Sequence, residues 1–104
     1  METDKMPHRE FEDEILAKCD NVDYPIGWRE LVIQTHCKLK AIDPEYELWQ
    51  IKEKLGGLRY YADPSETIDP ILASVFRDVI YAAEVKSRHI HVGSGEVTFP
   101  WKGC

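Results

Sequence analysis

The order of apolar and polar positions sorts the chain into helical and extended stretches. Phe11, Ile15, Leu16 and Cys19 recur at i, i+4, i+5 and i+8, a narrow stripe. It predicts a first helix from Pro7, a good first-turn residue, to about Lys18. Asp20 to Pro25 reads as a loop. Trp28, Leu31, Val32, Thr35, Leu39 and Ile42 keep the helical period and predict a second helix over about 27–41. Asp43-Pro44 ends it, because the residue before a proline is driven out of the α region.

From Tyr46 the period falls to two. Leu48, Gln50, Lys52 and Lys54 alternate with Trp49, Ile51, Glu53 and Leu55, as in a strand. Gly56-Gly57 can take the positive φ angles of a two-residue turn, and Leu58 to Ala62 returns as a second strand. That turn sets Leu55 against Leu58, Lys54 against Arg59, Glu53 against Tyr60 and Lys52 against Tyr61. Trp49, Ile51, Glu53, Leu55, Leu58 and Tyr60 are then expected to pack on the helices. Gln50, Lys52, Lys54, Arg59 and Tyr61 form the other face.

Asp63-Pro64-Ser65 breaks the sheet, and Asp69 with Pro70 suits the N-cap and first residue of a helix to about Ser87. Its apolar face, with Ile71, Leu72, Val75, Phe76, Val79, Ile80 and Ala83, is wide enough to predict the central core helix. Ile90 and Val92 around His91, then Gly93-Ser94-Gly95, then Glu96 to Phe99 read as a second hairpin. The expected fold is one α+β domain over 1–104, with about three helices on a small antiparallel sheet built from two hairpins. Residues 1–6 are expected to fray, and the sheet edges are ones a second copy of the chain could pair.

Charge changes this picture. Thirteen Lys and Arg face nineteen Asp and Glu, for a net charge of −6. Residues 1–24, the acidic first helix and its loop, hold eight acids and three bases, so almost all of the imbalance sits there. Direct nucleic-acid binding by phosphate neutralisation is therefore not expected. No run approaches the roughly 20 apolar residues of a membrane span, and the first residues show no secretory pattern. Cys19, Cys37 and Cys104 form no C-x-x-C, which suits free thiols in a reducing, cytoplasmic compartment.

Two surfaces invite chemistry. On the hairpin, Lys52, Lys54 and Arg59 crowd one face, with two cations directly opposite each other, a pairing that destabilises. An anion would relieve the repulsion. Gly56 and Gly57 would let it approach the backbone, and Tyr61 would form a stacking or hydrogen-bonding wall. The plainer alternatives are a solvated strand face, or neutralisation by the acidic first helix. On that helix Glu10, Glu12, Asp13 and Glu14 are either a solvated face or a docking surface for a basic partner. No nucleophile–base motif is present, so the chain reads as a binding protein and not an enzyme. His89 and His91 form H-x-H on one face of a strand and with Cys104 or His36 could ligate zinc, but a structural site normally shows closer cysteine spacing, and no metal or other cofactor is assigned.

The run from Gly27-Trp28 through helix two, then Gln50-Ile51-Lys52-Glu53-Lys54-Leu55-Gly56-Gly57-Leu58-Arg59-Tyr60-Tyr61, then a helix bearing Ala82-Ala83-Glu84 and Ser87, resembles a family of uncharacterised small bacterial and prophage proteins. The resemblance covers about residues 25–88, and Lys-Glu-Lys-hydrophobic-Gly-Gly-Leu-Arg is its specific part. Many members continue into a cysteine-rich, zinc-ribbon-like tail that residues 89–104 lack. The resemblance implies a phage-type accessory protein. The expected role is inhibition of a host defence or nucleic-acid-handling system by binding a host macromolecule with a basic surface. The alternative is sequestration of a small phosphorylated ligand, such as a nucleotide signal, at the basic hairpin.

Overall fold

In the computed structural model of the chain, which describes residues 8–90 and Gly93, three helices pack around one two-stranded antiparallel sheet. Helix α1 spans His8–Lys18. A 3-10 turn at Ile26–Trp28 leads into α2, Arg29–Ile42. Strands β1, Glu47–Lys54, and β2, Gly57–Asp63, form a hairpin, and α3 spans Pro70–Ser87. The proposed second hairpin, apart from Ile90 and Gly93, lies outside the described residues, as do His91 and Cys104. None of the described helices is long and apolar enough to cross a membrane, and the thiols of Cys19 and Cys37 are free.

The core is centred on α2, which packs against both α1 and α3, while α3 also packs on β2. Trp28, Leu31, Val32 and Leu39 meet Ile15 of α1, Leu48, Ile51, Leu58 and Tyr60 of the sheet, and Phe76 and Ala83 of α3. The expectation that α3 is the central helix is thus corrected. Asp69 does cap it, accepting from the Ile71 N–H at 2.7 Å. Yet Ile71 is 74% exposed, Leu72 and Val75 are also exposed, and only Phe76, Ala83 and Ser87 are fully buried.

The hairpin turn sits one residue earlier than expected. Leu55 (φ 55°) and Gly56 (φ 81°) are the two turn residues, both left-handed, as a type I′ loop requires. Lys54 therefore pairs with Gly57, Lys52 with Arg59, Ile51 with Tyr60 and Gln50 with Tyr61. Moving a two-residue turn by one position shifts each partner by two, so the two faces keep their members. Leu55, expected to pack on the helices, is instead 91% exposed at the tip. Glu53, also expected to pack, is exposed and accepts the Gly56 N–H at 2.8 Å, closing the turn from outside.

Leucine in a left-handed conformation is strained by about 1 kcal/mol or more. With no packing at this position to lose, Leu55→Asn is expected to raise stability by roughly 0.5–1 kcal/mol in urea unfolding. Destabilisation would show that the tip makes contacts its exposure conceals.

A bulge between Leu48 and Gln50 corrects the alternation at the other end of β1. It turns Leu48 into the core and leaves Trp49 56% exposed, the reverse of the expected facing. Cys19 holds the bulge: its Sγ donates to the Trp49 carbonyl at 3.0 Å and accepts the Asn21 N–H at 3.3 Å.

Both sheet edges are engaged. The Ile51 N–H donates to the Asn21 carbonyl at 3.1 Å, and the Asp23 N–H donates to the Ile51 carbonyl at 2.8 Å. On β2, the Leu58 N–H donates to Ser87 Oγ at 2.8 Å and the Tyr60 N–H to Glu84 Oε2 at 3.0 Å. The donors that a second copy would need at Leu58 and Tyr60 are taken by α3 side chains, which narrows the edge-pairing route to a dimer.

Candidate functional site

The outer face of the hairpin carries, from tip to base, the pairs Lys54–Gly57, Lys52–Arg59 and Gln50–Tyr61. The opposed cation pair expected from the sequence is present, but its members are Lys52 and Arg59 instead of Lys54 and Arg59. Gly57 is buried in the strand without a positive φ. A Cβ there would lie 3.4 Å from Arg88 Nε and 3.6 Å from Arg59 Nη1. These are ordinary van der Waals separations, so the two arginine side chains lie against this position, and neither turn geometry nor close approach requires a glycine there.

Arg88, at the C-cap of α3, is the residue that reading the hairpin alone could not find. Its side chain crosses Gly57 and brings a second guanidinium beside that of Arg59. The two nitrogens stand no farther apart than the sum of their distances to that one point. Arg59 Nη1 donates to the Leu58 carbonyl at 3.3 Å, which fixes the side chain against its own strand. Among the described residues, no carboxylate forms an ion pair with Lys52, Lys54, Arg59 or Arg88.

The acidic helix spends its charge elsewhere. Glu12 of α1 accepts from Arg29 Nε at 3.0 Å and Nη2 at 2.9 Å, a bidentate pair, and from the Tyr24 hydroxyl at 2.7 Å. Glu14 accepts from Lys40 Nζ at 2.9 and 3.0 Å and from His36 Nε2 at 2.9 Å. Bonds from His36 and then Lys40 hold the Glu14 carboxyl below the usual carboxylate range. Of the four acids assigned to a docking surface, two are thus committed to α1–α2 contacts, and Glu10 and Asp13 are left exposed. The acids of α1 pair with α2 and the Tyr24 hydroxyl, so among the described residues the acidic helix does not neutralise Lys52, Lys54 or Arg59.

A buried polar chain runs beneath the hairpin. The Tyr60 and Tyr46 hydroxyls lie 2.8 Å apart, and the Tyr46 hydroxyl lies 2.8 Å from His36 Nδ1. With Glu14 ionised, His36 Nε2 must carry the proton that Glu14 accepts, so neutral Nδ1 accepts from Tyr46, whose oxygen accepts from Tyr60. Every donor then has one acceptor, and no buried side-chain polar atom among the described residues lacks a partner. Burial holds the His36 pKa below its ordinary value against the pull of Glu14. Burial likewise pushes the Tyr46 phenol up to about 12 and Tyr60 well above its ordinary value. Three elements, α1, α2 and β2, and the connection before β1 meet in this chain, which makes it a joint of the fold. The sequence signal for it was His36 falling on the apolar stripe of α2, four residues after Val32.

Among the described residues, no three His, Cys, Asp or Glu side chains converge as metal ligands. Compared with known proteins, the chain matches no family model, no curated protein and no solved structure.

Proposed function

We propose that this is a non-enzymatic binding protein that captures a phosphate-bearing small ligand on the outer face of its hairpin. Lys52, Arg59 and Arg88 would hold the anion, and Lys54 would add charge at the tip. The observation that carries the reading is the meeting of Arg59 and Arg88 over Gly57, with Lys52 opposite Arg59 and Lys54 opposite Gly57 in the strand register, and with no carboxylate paired to any of the four among the described residues. Two bases outside the cluster, Arg29 and Lys40, are instead neutralised, by Glu12 and Glu14. Guanidinium groups suit this task, because their planar donor forks match phosphate oxygens two at a time. The cluster supplies charge and donors, with no nucleophile beside a base, so holding is the chemistry it suits and bond-making is not.

A ligand that binds only the folded state raises the melting temperature by mass action. A thermal-shift panel of phosphate, pyrophosphate, sugar phosphates and nucleotides is expected to contain stabilising compounds, with the shift falling as salt is raised. Arg88→Glu, at an exposed position, is expected to abolish most of the shift without lowering the unliganded melting temperature appreciably, and Arg59→Gln, at a half-buried position, to weaken it further. A panel in which no compound stabilises the wild type would overturn the proposal.

A further inference from the structure

We infer that the ligand is a mononucleotide, with its phosphate at the Lys52–Arg59–Arg88 cluster and its base against Tyr61 and Trp49; this rests on the anion-site reading above. Along the outer face the cations end at the Lys52–Arg59 rung, and the next rung on the same face is Gln50–Tyr61. Successive rungs of one face lie about 7 Å apart, comparable with the reach from a 5′-phosphate across the ribose to the base. Tyr61 is 40% exposed on this rung.

Beyond it the bulge turns Trp49 to the surface, where its indole Nε1–H donates to Asp63 Oδ2 at 2.9 Å. The indole is held by this bond, and the backbone that carries it by the Cys19 bond to the Trp49 carbonyl. Trp49, Tyr61, Asp63, Arg77 and Ile80 line a shallow cavity of about 290 Å³. An aromatic wall with a carboxylate and a guanidinium at its rim suits a base, which offers a π face for stacking and polar edges for hydrogen bonds. A bulge that surrenders the burial of a tryptophan to fix it in an exposed, hydrogen-bonded position is the mark of a recognition surface.

Segregation of the two chemistries argues for one nucleotide over a strand. Single-strand binders interleave cations and aromatics along a groove. Here the hairpin's own cations gather toward the tip and its aromatics at the base, with Arg77 of α3 alone beside them, and the net charge of −6 opposes a polyanion.

The test is titration of the full chain with adenosine and guanosine 5′-monophosphates, ribose 5-phosphate and inorganic phosphate, read by calorimetry and tryptophan fluorescence. At least one nucleotide is expected to bind tighter than ribose 5-phosphate by about fivefold or more, the low end of what one stacked base contributes. Binding should quench tryptophan emission, and Trp49→Phe should remove the quench. Tyr61→Ala, an exposed position, should erase most of the nucleotide's advantage and leave ribose 5-phosphate binding unchanged. Nucleotides and ribose 5-phosphate binding equally, with the anion site active, would overturn this inference alone. A nucleotide preference untouched by Tyr61→Ala would do the same. An oligonucleotide binding a hundredfold tighter than either nucleotide would replace the mononucleotide by a strand. Failure of every phosphate compound to bind would overturn the anion site and this inference together.

Discussion

Tyr46→Phe is expected to destabilise the fold by about 2–4 kcal/mol, while Tyr60→Phe, one bond along the same chain, is expected to cost about 1 kcal/mol. The two changes delete the same atom from similarly buried rings, 2% exposed in each case. They differ in what they leave behind. Tyr60 is the terminal donor, so removing its hydroxyl spares Tyr46 its bond to His36. Tyr46 is the middle link. Without it, Tyr60 keeps a buried donor with no acceptor and His36 Nδ1 becomes a buried acceptor with no donor, and each unsatisfied group carries its own desolvation penalty. Urea unfolding of the two variants decides the matter. Equal losses would mean that the chain is not wired in the direction Tyr60 to Tyr46 to His36.

The same wiring governs stability in acid. Burial, against the opposing pull of Glu14 and with Lys40 and Lys18 also disfavouring the cation, holds the folded-state pKa of His36 below 6.5. The unfolded chain thus takes up this proton first as pH falls. The stability contributed by the neutral ring is present above about pH 6.5 and is lost as pH falls toward the folded-state value, at no more than about 1.4 kcal/mol per pH unit for one proton. Protonated Nδ1 would also have to donate to Tyr46, reversing both tyrosine bonds and leaving the Tyr60 proton without an acceptor. Glu14, whose pKa is lowered from 4.5, adds a loss of the same sign at lower pH. His36→Leu should be less stable at pH 7.5, yet should have a shallower dependence between pH 7 and 5 than the wild type. Parallel profiles would contradict a neutral, wired His36.

How much of this was legible in the sequence depended on how local its cause was. Helix and strand spans follow from periods of 3.6 and two and from stop signals such as Asp43-Pro44, so they emerged within a few residues. The turn did not, because Leu55-Gly56 and Gly56-Gly57 are both workable two-residue loops with identical facing. The choice between them falls to contacts far along the chain: Ser87 on the Leu58 N–H and Arg88 over Gly57. The same holds for the site. Lys52, Arg59 and Tyr61 were readable because one hairpin carries them. Arg88 arrives from the far end of α3, and Trp49 is exposed only because a bulge, pinned by Cys19, interrupts a regular alternation. The Glu14–His36–Tyr46–Tyr60 chain joins α1, α2, β2 and the connection before β1, and its one local trace is His36 on the apolar stripe of α2.

Phe76→Ala is expected to cost about 3–5 kcal/mol, the range for emptying a large aromatic site in a core, while Ile71→Ala and Leu72→Ala on the same helix should each fall within about 0.5 kcal/mol of wild type. The sequence gives these residues equal standing on one apolar stripe. Their surroundings do not. Phe76 is fully buried and packs edge-on against Tyr46 at 5.5 Å between ring centres, so it couples α3 to the polar chain as well as to the core. Ile71 and Leu72 lie at the surface near the start of the helix. A domain of this size is stable by only about 5–15 kcal/mol, so Phe76→Ala removes a large share of that margin and loosens the seat of α3. The loosening would reach the anion site, because Ser87 and Arg88 lie at the end of that helix and meet the hairpin at Leu58 and Gly57. Phosphate affinity in Phe76→Ala, measured under conditions where the variant remains folded, should therefore fall, while Ile71→Ala keeps it. Unchanged affinity in a destabilised Phe76→Ala would mean that Arg88 holds its place over the hairpin without the packing of α3 beneath it.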